Sequence, residues 1–250
     1  MYTLAVGAMF KNEQHILREW MDHYIFHGVE HFYMINDGST DNSMEVLQPY
    51  IDRGLVTLWH ATQSQYLGRQ RDAYNTFIYP RLNEMKWLLM VDLDEFMWSQ
   101  DSVDLRDVLK KCNHLAQIQV HDRLFGSNGH ESQPASVVQA FTKRTAIDAN
   151  PKGVLKYFIN TDYKFTHLNV HHATHVSLED RTHRFLKIGA PHFILNHYNC
   201  QSRALWSMVK CTRGDIDNYR VRTDADFAAI DLNEMDDYGL AKQNTTISPR

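Results

Sequence analysis

The chain is short of cysteine, of long apolar runs and of surplus positive charge, and each shortage excludes something. Cys112, Cys200 and Cys211 are the three cysteines among 250 residues; they form no Cys-x-x-Cys pair, and an odd number cannot all pair within one chain. That argues against a disulfide framework and for a reducing compartment. No apolar segment approaches the roughly 20 residues needed to span a bilayer. The opening "MYTLAVGAMFKNE" lacks the basic start and cleavage region of a signal peptide and reads as a first core strand. With a net charge of −4, the chain has no excess of cations with which a general nucleic-acid binder neutralises phosphate. The expectation is a cytoplasmic protein, or a soluble domain of a longer enzyme, with no transmembrane segment and no nucleic-acid partner.

What is present is a chain 43% hydrophobic and 22% charged, long enough to bury a sizeable core. Its first hundred residues alternate strand and helix patterns. "TLAVGAMF" is a short apolar strand, and Ile16, Leu17, Trp20, Tyr24 and Ile25 then recur at helical spacing up to Gly28. "EHFYMI" predicts a second strand, closed by the turn-rich "NDGSTDNS"; a helix over 44–51 and the strand "LVTLWH" follow. Residues 68–85 read as a helix that Pro80 should kink, and "WLLMV" as a fourth strand. Such alternation predicts an α/β fold with a parallel sheet flanked by helices, ligands binding at the carboxyl ends of the strands.

Three polar clusters fall at those ends: "KNE", "NDGSTD" and "DLDE". Beyond residue 100, "LAQIQVH", "ASVVQAFTKR", "VLKYFI", "NVHHATHV" and "APHFILNHY" read as further strands, and "SRALWSMVKCTRG" as a helix. The acidic remainder predicts a peripheral helix and a frayed end. No repeat or linker divides the chain, so a single domain over 1–220 is expected, nucleotide-binding over 1–100 and acceptor-facing over 101–220. An acidic helix and tail would follow over 221–250.

"WLLMVDLDEFMW" poses the chemical question, since ionised carboxylates beside a buried strand require a positive partner. In an extended chain Asp92 and Asp94 point to one side and can share a hard divalent cation that keeps positions open for phosphate oxygens. A solvated strand end would look the same in isolation. A phosphatase of the haloacid dehalogenase type also ends an apolar strand in Asp-x-Asp, with the first Asp, here Asp92, as nucleophile. That motif usually continues to Thr or Val and is joined by a later Gly-Asp-x-x-x-Asp cluster. Here Glu95-Phe96 follows, and no such cluster is found. His167, His171 and His175 repeat every four residues, but they lack the Glu of a metallohydrolase motif, which makes a dedicated zinc site improbable.

"VDLDEF", preceded by "FKNEQHILREWMDHYIFHGVEHFYMINDGSTDNS", resembles a glycosyltransferase of the GT-A fold, a Rossmann-like, mixed, mostly parallel sheet with flanking helices. "FGSNGHESQP" and "LNHYNCQSRALWSMVKCTRGD" narrow the resemblance to glycosyltransferase family 92 and its family 2-like relatives, over about residues 3–215. The resemblance implies transfer of a sugar, with inversion, from a nucleotide-diphosphate donor, commonly a UDP-sugar, to a hydroxyl of a glycan or glycoconjugate. It also implies a divalent metal, Mn2+ or Mg2+. A nucleotide-sugar-binding protein without turnover, or less favourably the phosphatase, is the alternative.

Under this resemblance Asp92, Asp94 and His197 are the metal candidates, Asp92 nearer the nucleotide ribose and Asp94 the direct ligand. Glu95 would orient the site from behind. Lys210 and Arg213, three apart on a helix, would approach the donor diphosphate. Asp37 resembles the carboxylate that reads the nucleobase or ribose. Asn12, Glu13, Gln70 and Arg71 could line the same pocket. A base that deprotonates the acceptor is expected among Glu131, Glu179, Asp180 and Asp162, with Glu131 favoured because it sits in a family-like segment.

Overall fold

The computed structural model describes residues 1–61, 66–147, 155–175, 185–188, 192–213 and 221–246; the side chains of 185–188 and 213 lie outside that description. The strands in chain order are β1 (Tyr2–Phe10), β2 (His31–Asn36), β3 (Val56–His60), β4 (Met85–Met90) and β5 (Glu95–Trp98). They continue as β6 (Gln117–Leu124), β7 (Lys143–Arg144), β8 (Leu155–Asn160), β9 (Phe165–Leu168), β10 (Ala173–His175), β11 (Phe185–Ile188), β12 (Ile194–His197) and β13 (Met235–Asp236).

The main sheet runs β3-β2-β1-β4-β8-β6-β12-β5, with β11 also on β6. The first four strands are parallel, β8 lies antiparallel between β4 and β6, and β12 is parallel to β6. The short β5 then pairs antiparallel with β12. This is the mixed, mostly parallel α/β sheet with flanking helices that the sequence predicts. Among the described residues, no helix is long and apolar enough to cross a membrane.

Helix α1 (Leu17–Phe26) buries Leu17, Trp20, Met21 and Tyr24 on one face, each contributing roughly 1.5–3 kcal/mol of apolar burial. It ends at Gly28, whose φ of +90° is the left-handed conformation glycine adopts at no steric cost. A Cβ there would also lie 2.2 Å from Asp104 Oδ1, the carboxylate that caps the next helix on that face. Helix α2 (Ser43–Asp52) packs between β2 and β3 in sequence and tolerates Pro49 in its interior.

The helix expected over 68–85 is three pieces. An α-turn, α3 (Arg69–Ala73), passes into a π-helical turn (Tyr74–Ile78) and then a 3-10 turn (Tyr79–Glu84) that places Pro80 in its first turn, where its missing N–H is not needed.

Beyond β5, α4 (Leu105–Lys111) starts on the Asp104 cap. Three expectations change in this half. "ASVVQAFTKR" forms a short helix, α5 (Val137–Ala140), before the two-residue β7, because Ser136 caps Gln139 N–H and Glu19 accepts from the N–H groups of Val137 and Val138. "NVHHATHV" is a turn followed by β10, which closes a hairpin on β9. The C-terminal stretch packs on the fold through residue 246, and the expected frayed end at 247–250 lies outside the described residues: after α7 (Asp224–Ile230), β13 pairs with β7, and α8 (Gly239–Gln243) buries Leu240 and Ala241. Asn244 is buried between His23 of α1 and His27 just past its end, its amide 3.0 Å from His23 Nδ1 and 2.9 Å from His27 Nε2. The helix α6 (Arg203–Leu205) precedes α7 and continues as a π-helical turn (Trp206–Lys210) and a last turn (Cys211–Arg213).

Candidate metal and donor site

The carboxyl end of β4 turns sharply at residues 93–94 and re-enters the sheet as β5. Helix α1 holds this turn from below. Trp20 Nε1 donates to the carbonyls of Asp92 (3.0 Å) and Glu95 (3.1 Å), and Tyr24 Oη donates to Glu95 O (3.0 Å) while accepting from Met97 N–H (2.9 Å). From above, Tyr198 N–H bonds to Asp94 O at 2.8 Å. The backbone of the acidic run is therefore fixed before any ligand arrives.

The register β12–β5 sets His197 opposite Glu95. His197 Nε2 lies 3.7 Å from Asp94 Oδ1 and 4.0 Å from Glu95 Oε1, and one donor atom from each of the three falls within 4.8 Å of the others. His197 Nδ1 donates to Asp122 Oδ2 at 2.8 Å, which fixes the ring so that Nε2 faces the two carboxylates. Lys210 Nζ stands 3.7 Å from Asp94 Oδ2.

The charges respond to this crowding. Burial opposes ionisation of Asp94, but His197, Lys210 and Lys156 outweigh it and hold its carboxyl well below the usual range. Burial, helped by Asp92 and Asp94, pushes Glu95 up to about 7 against the pull of Lys156 and His197. His197 is driven the other way: burial disfavours its cation, yet Asp94 and Asp122 raise it well above an ordinary histidine.

The residues fit a divalent cation. Glu95 Oε1 is buried with no hydrogen-bond partner among the described residues, an unmet acceptor of the kind a cation satisfies. Two carboxylates and one imidazole suit Mn2+, and an imidazole braced by a carboxylate on its other nitrogen is the usual support for a metal-binding histidine.

Asp92 stands apart from this trio. Its Oδ2 accepts from Lys156 Nζ at 2.6 Å and its Oδ1 from Gln70 Nε2 at 3.1 Å. Of the expected Asp92, Asp94 and His197, the donor atoms of Asp94 and His197 converge, and Glu95 rather than Asp92 supplies the third close donor atom. The turn at 93–94 breaks the extended geometry that would have kept Asp92 and Asp94 on one side.

The other candidates distribute unevenly. Asn12, at φ 54°, knits the loops after β1 and β2: its Oδ1 accepts from Thr40 N–H at 2.7 Å, and its own N–H donates to Ser39. Asp37 is buried and paired through both oxygens with the Arg69 guanidinium, the Oδ2 contact measuring 2.9 Å. Arg71 is exposed and bonds to Asp72, away from the acidic turn. Glu13 lines a small, partly open hollow together with Asp94, Gln201, Trp206 and Lys210. Glu131 is exposed; its carbonyl accepts from Ala204 N–H at 2.9 Å, while Ser202 caps the same helix start.

Asp162 is misplaced as an acceptor base. It is exposed and pairs with Lys86, at the opposite end of β4, roughly 20 Å of strand from Asp92. Glu179 and Asp180 lie outside the described residues, as does the side chain of Arg213.

The two later motifs meet in space. Phe125 N–H bonds to His197 O, and the loop they share carries the start of α6 through His130 O and Glu131 O. Gly126 leaves room there for the Asn233 side chain, which a Cβ would displace from its hydrogen bond with Asn128 N–H.

Comparison with known proteins places the chain in a family. The model of glycosyltransferase family 92 matches residues 1–233, and the chain belongs to that family. A glycosyltransferase family 92 protein of Ricinus communis is 24% identical over 218 residues, covering 84% of this chain and 37% of that protein. One from Oryza sativa subsp. japonica is 25% identical over 217 residues, covering 84% and 35%. The chain thus spans just over a third of the length of these curated relatives. Among solved structures, S. aureus TarS 1–349 in complex with UDP-GlcNAc is similar at TM-score 0.45 and 13% identity, covering 91% of this chain and 64% of that one. HddC from Yersinia pseudotuberculosis follows at TM-score 0.40 and 10% identity, covering 78% and 93%.

Proposed function

We propose that the chain is a metal-dependent glycosyltransferase that moves a sugar from a UDP-sugar to a hydroxyl of a glycan or glycoconjugate, with inversion. The observation that carries the proposal is the trio Asp94, Glu95 and His197 at the carboxyl end of β4, with Glu95 Oε1 lacking a hydrogen-bond partner among the described residues. Family membership supplies the sugar-transfer class. Asp94, Glu95 and His197 would hold Mn2+ or Mg2+, which offsets charge on a departing diphosphate. Lys210, beside Asp94 on the rim of the hollow, is placed to add a hydrogen-bonded cation to that charge. Asp92 retains accepting positions on the solvent side and serves the ribose.

Metal-dependent hydrolysis of a panel of nucleotide sugars tests the reading. Release of nucleoside diphosphate from a UDP-sugar with Mn2+, abolished by EDTA, is expected. Metal-dependent donor binding without hydrolysis or transfer, across the panel, would instead make the chain a nucleotide-sugar-binding protein. An acid-labile phosphoenzyme on Asp92 would indicate the phosphatase.

A further inference from the structure

We infer that Lys156 is a positioning residue that keeps Asp92 out of the cation's coordination, dividing the acidic run into a metal trio and one carboxylate reserved for the donor. The inference rests on the metal reading above and deepens it.

Lys156 lies near the start of β8, which runs antiparallel to β4, and Tyr157 pairs with Met90 at the end of β4. That direction carries the lysine to the carboxyl end of β4, where a parallel strand would instead bring its own carboxyl end. Its side chain is only 1% exposed. A buried ammonium is tolerated only when it is paired, and Lys156 has two partners: Asp92 Oδ2 at 2.6 Å and Glu95 Oε2 at 3.5 Å.

With Lys156 on one oxygen and Gln70 on the other, the Asp92 carboxylate is fixed on two sides and open on a third, being 34% exposed. A cation drawn to Asp92 Oδ2 would approach an ammonium already in contact with it, and like charges at that range repel strongly in a partly buried site. Hydroxyl groups carry no such penalty, and the lone pairs left on Asp92 can accept from them.

Charge balance points the same way. Asp92, Asp94, Glu95 and Asp122 supply four negative charges, against which Lys156 and Lys210 supply two. Without Lys156 the site would hold an extra uncompensated charge, and Asp92 would become an available ligand.

Three variants test this: Lys156→Met, Lys156→Arg, and Lys156→Met combined with Asp92→Asn. Mn2+ stoichiometry and affinity are read by electron paramagnetic resonance and calorimetry, and KM and kcat by UDP-sugar hydrolysis. Lys156→Met should bind Mn2+ roughly tenfold more tightly as Asp92 joins the ligands, while KM for the donor rises at least tenfold. The double variant should return Mn2+ affinity to near the wild-type value but leave the donor KM high. Lys156→Arg should rescue donor KM to within about threefold, because the cation and its contact with Asp92 persist.

A purely structural lysine would lower the folded fraction without moving KM in the molecules that fold, and that result overturns the inference. If Lys156→Met fails to fold, the charge-balanced double variant decides. A tenfold loss of Mn2+ affinity there would mean that Asp92 belongs to the metal, against the inference. Failure of the wild type to bind Mn2+ refutes the metal reading itself, whereas Mn2+ bound equally by wild type and Lys156→Met refutes only the role of Lys156.

Discussion

His197 and Glu95 face each other across the β12–β5 ladder, Nε2 4.0 Å from Oε1, one ring nitrogen committed to Asp122 and that carboxylate oxygen without a hydrogen-bond partner among the described residues. Both atoms point at the same small space beside Asp94, so each of the three side chains should matter to a cation there. Glu95→Gln, Asp94→Asn and His197→Gln are each expected to weaken Mn2+ binding by at least tenfold, measured by calorimetry on protein that retains its circular dichroism. An unchanged affinity in any of them removes that residue from the ligand set.

Asp122 touches only His197 among these groups, and its removal separates support from ligation. Asp122→Asn should weaken Mn2+ binding by about 10–100-fold with the trio itself intact, since the ring loses the carboxylate that fixes its orientation and basicity. An affinity equal to that of the wild type would show that β12 packing alone holds the ring.

Protons and a cation compete for the same atoms, and the sign of the competition follows from the shifts. Glu95 is raised to about 7 from 4.5, so the folded protein holds a proton there that the unfolded chain has lost; metal-free stability therefore falls as pH rises from about 4.5 to 7. His197 is also raised, and its contribution is complete below about 6.5 and fades as pH climbs through its folded value. Mn2+ restores the missing positive charge, so the rise in melting temperature on adding Mn2+ should be larger at pH 8 than at pH 6. A shift equal at both values, or larger at pH 6, contradicts the arrangement.

Arg69 and Asp37 form a buried ion pair that ties the loop after β2 to the start of α3. Removing one partner strands a charge, and Arg69→Met should cost about 3–5 kcal/mol in urea unfolding. Arg69→Met with Asp37→Asn should recover a substantial part of that loss. If the single variant is as stable as the wild type, the pair is not holding the loop.

The parallel half of the sheet was legible because each strand is a short apolar run followed by a helix with its own period. Asp94 was marked by its place at a strand end and His197 by the family-like segment around it, and the structure brings their donor atoms together. Glu95 was left behind the site because the two-residue alternation that joined Asp92 to Asp94 holds only in extended chain, and the chain turns at 93–94. Lys156 was missed because "VLKYFI" reads as an ordinary strand with one polar residue. The only local signal was that lone lysine in an apolar run, and its meaning depends on β8 running antiparallel to β4. The C-terminal stretch misled through its acidity: Asp237 meets Arg123 and Arg144, and Asp231 accepts from Ser127, so charges that looked solvated are partners of the site-bearing loop.

Asn244 reaches back more than two hundred residues to His23 and His27, which are among the first helical residues made. Helix α1, whose Trp20 and Tyr24 hold the acidic turn, therefore cannot satisfy both imidazoles until the far end of the fold has been synthesised and docked. The pair is a contact of very high sequence separation, and a fold that closes on such contacts gathers them slowly, because the intervening loop must be ordered before they form.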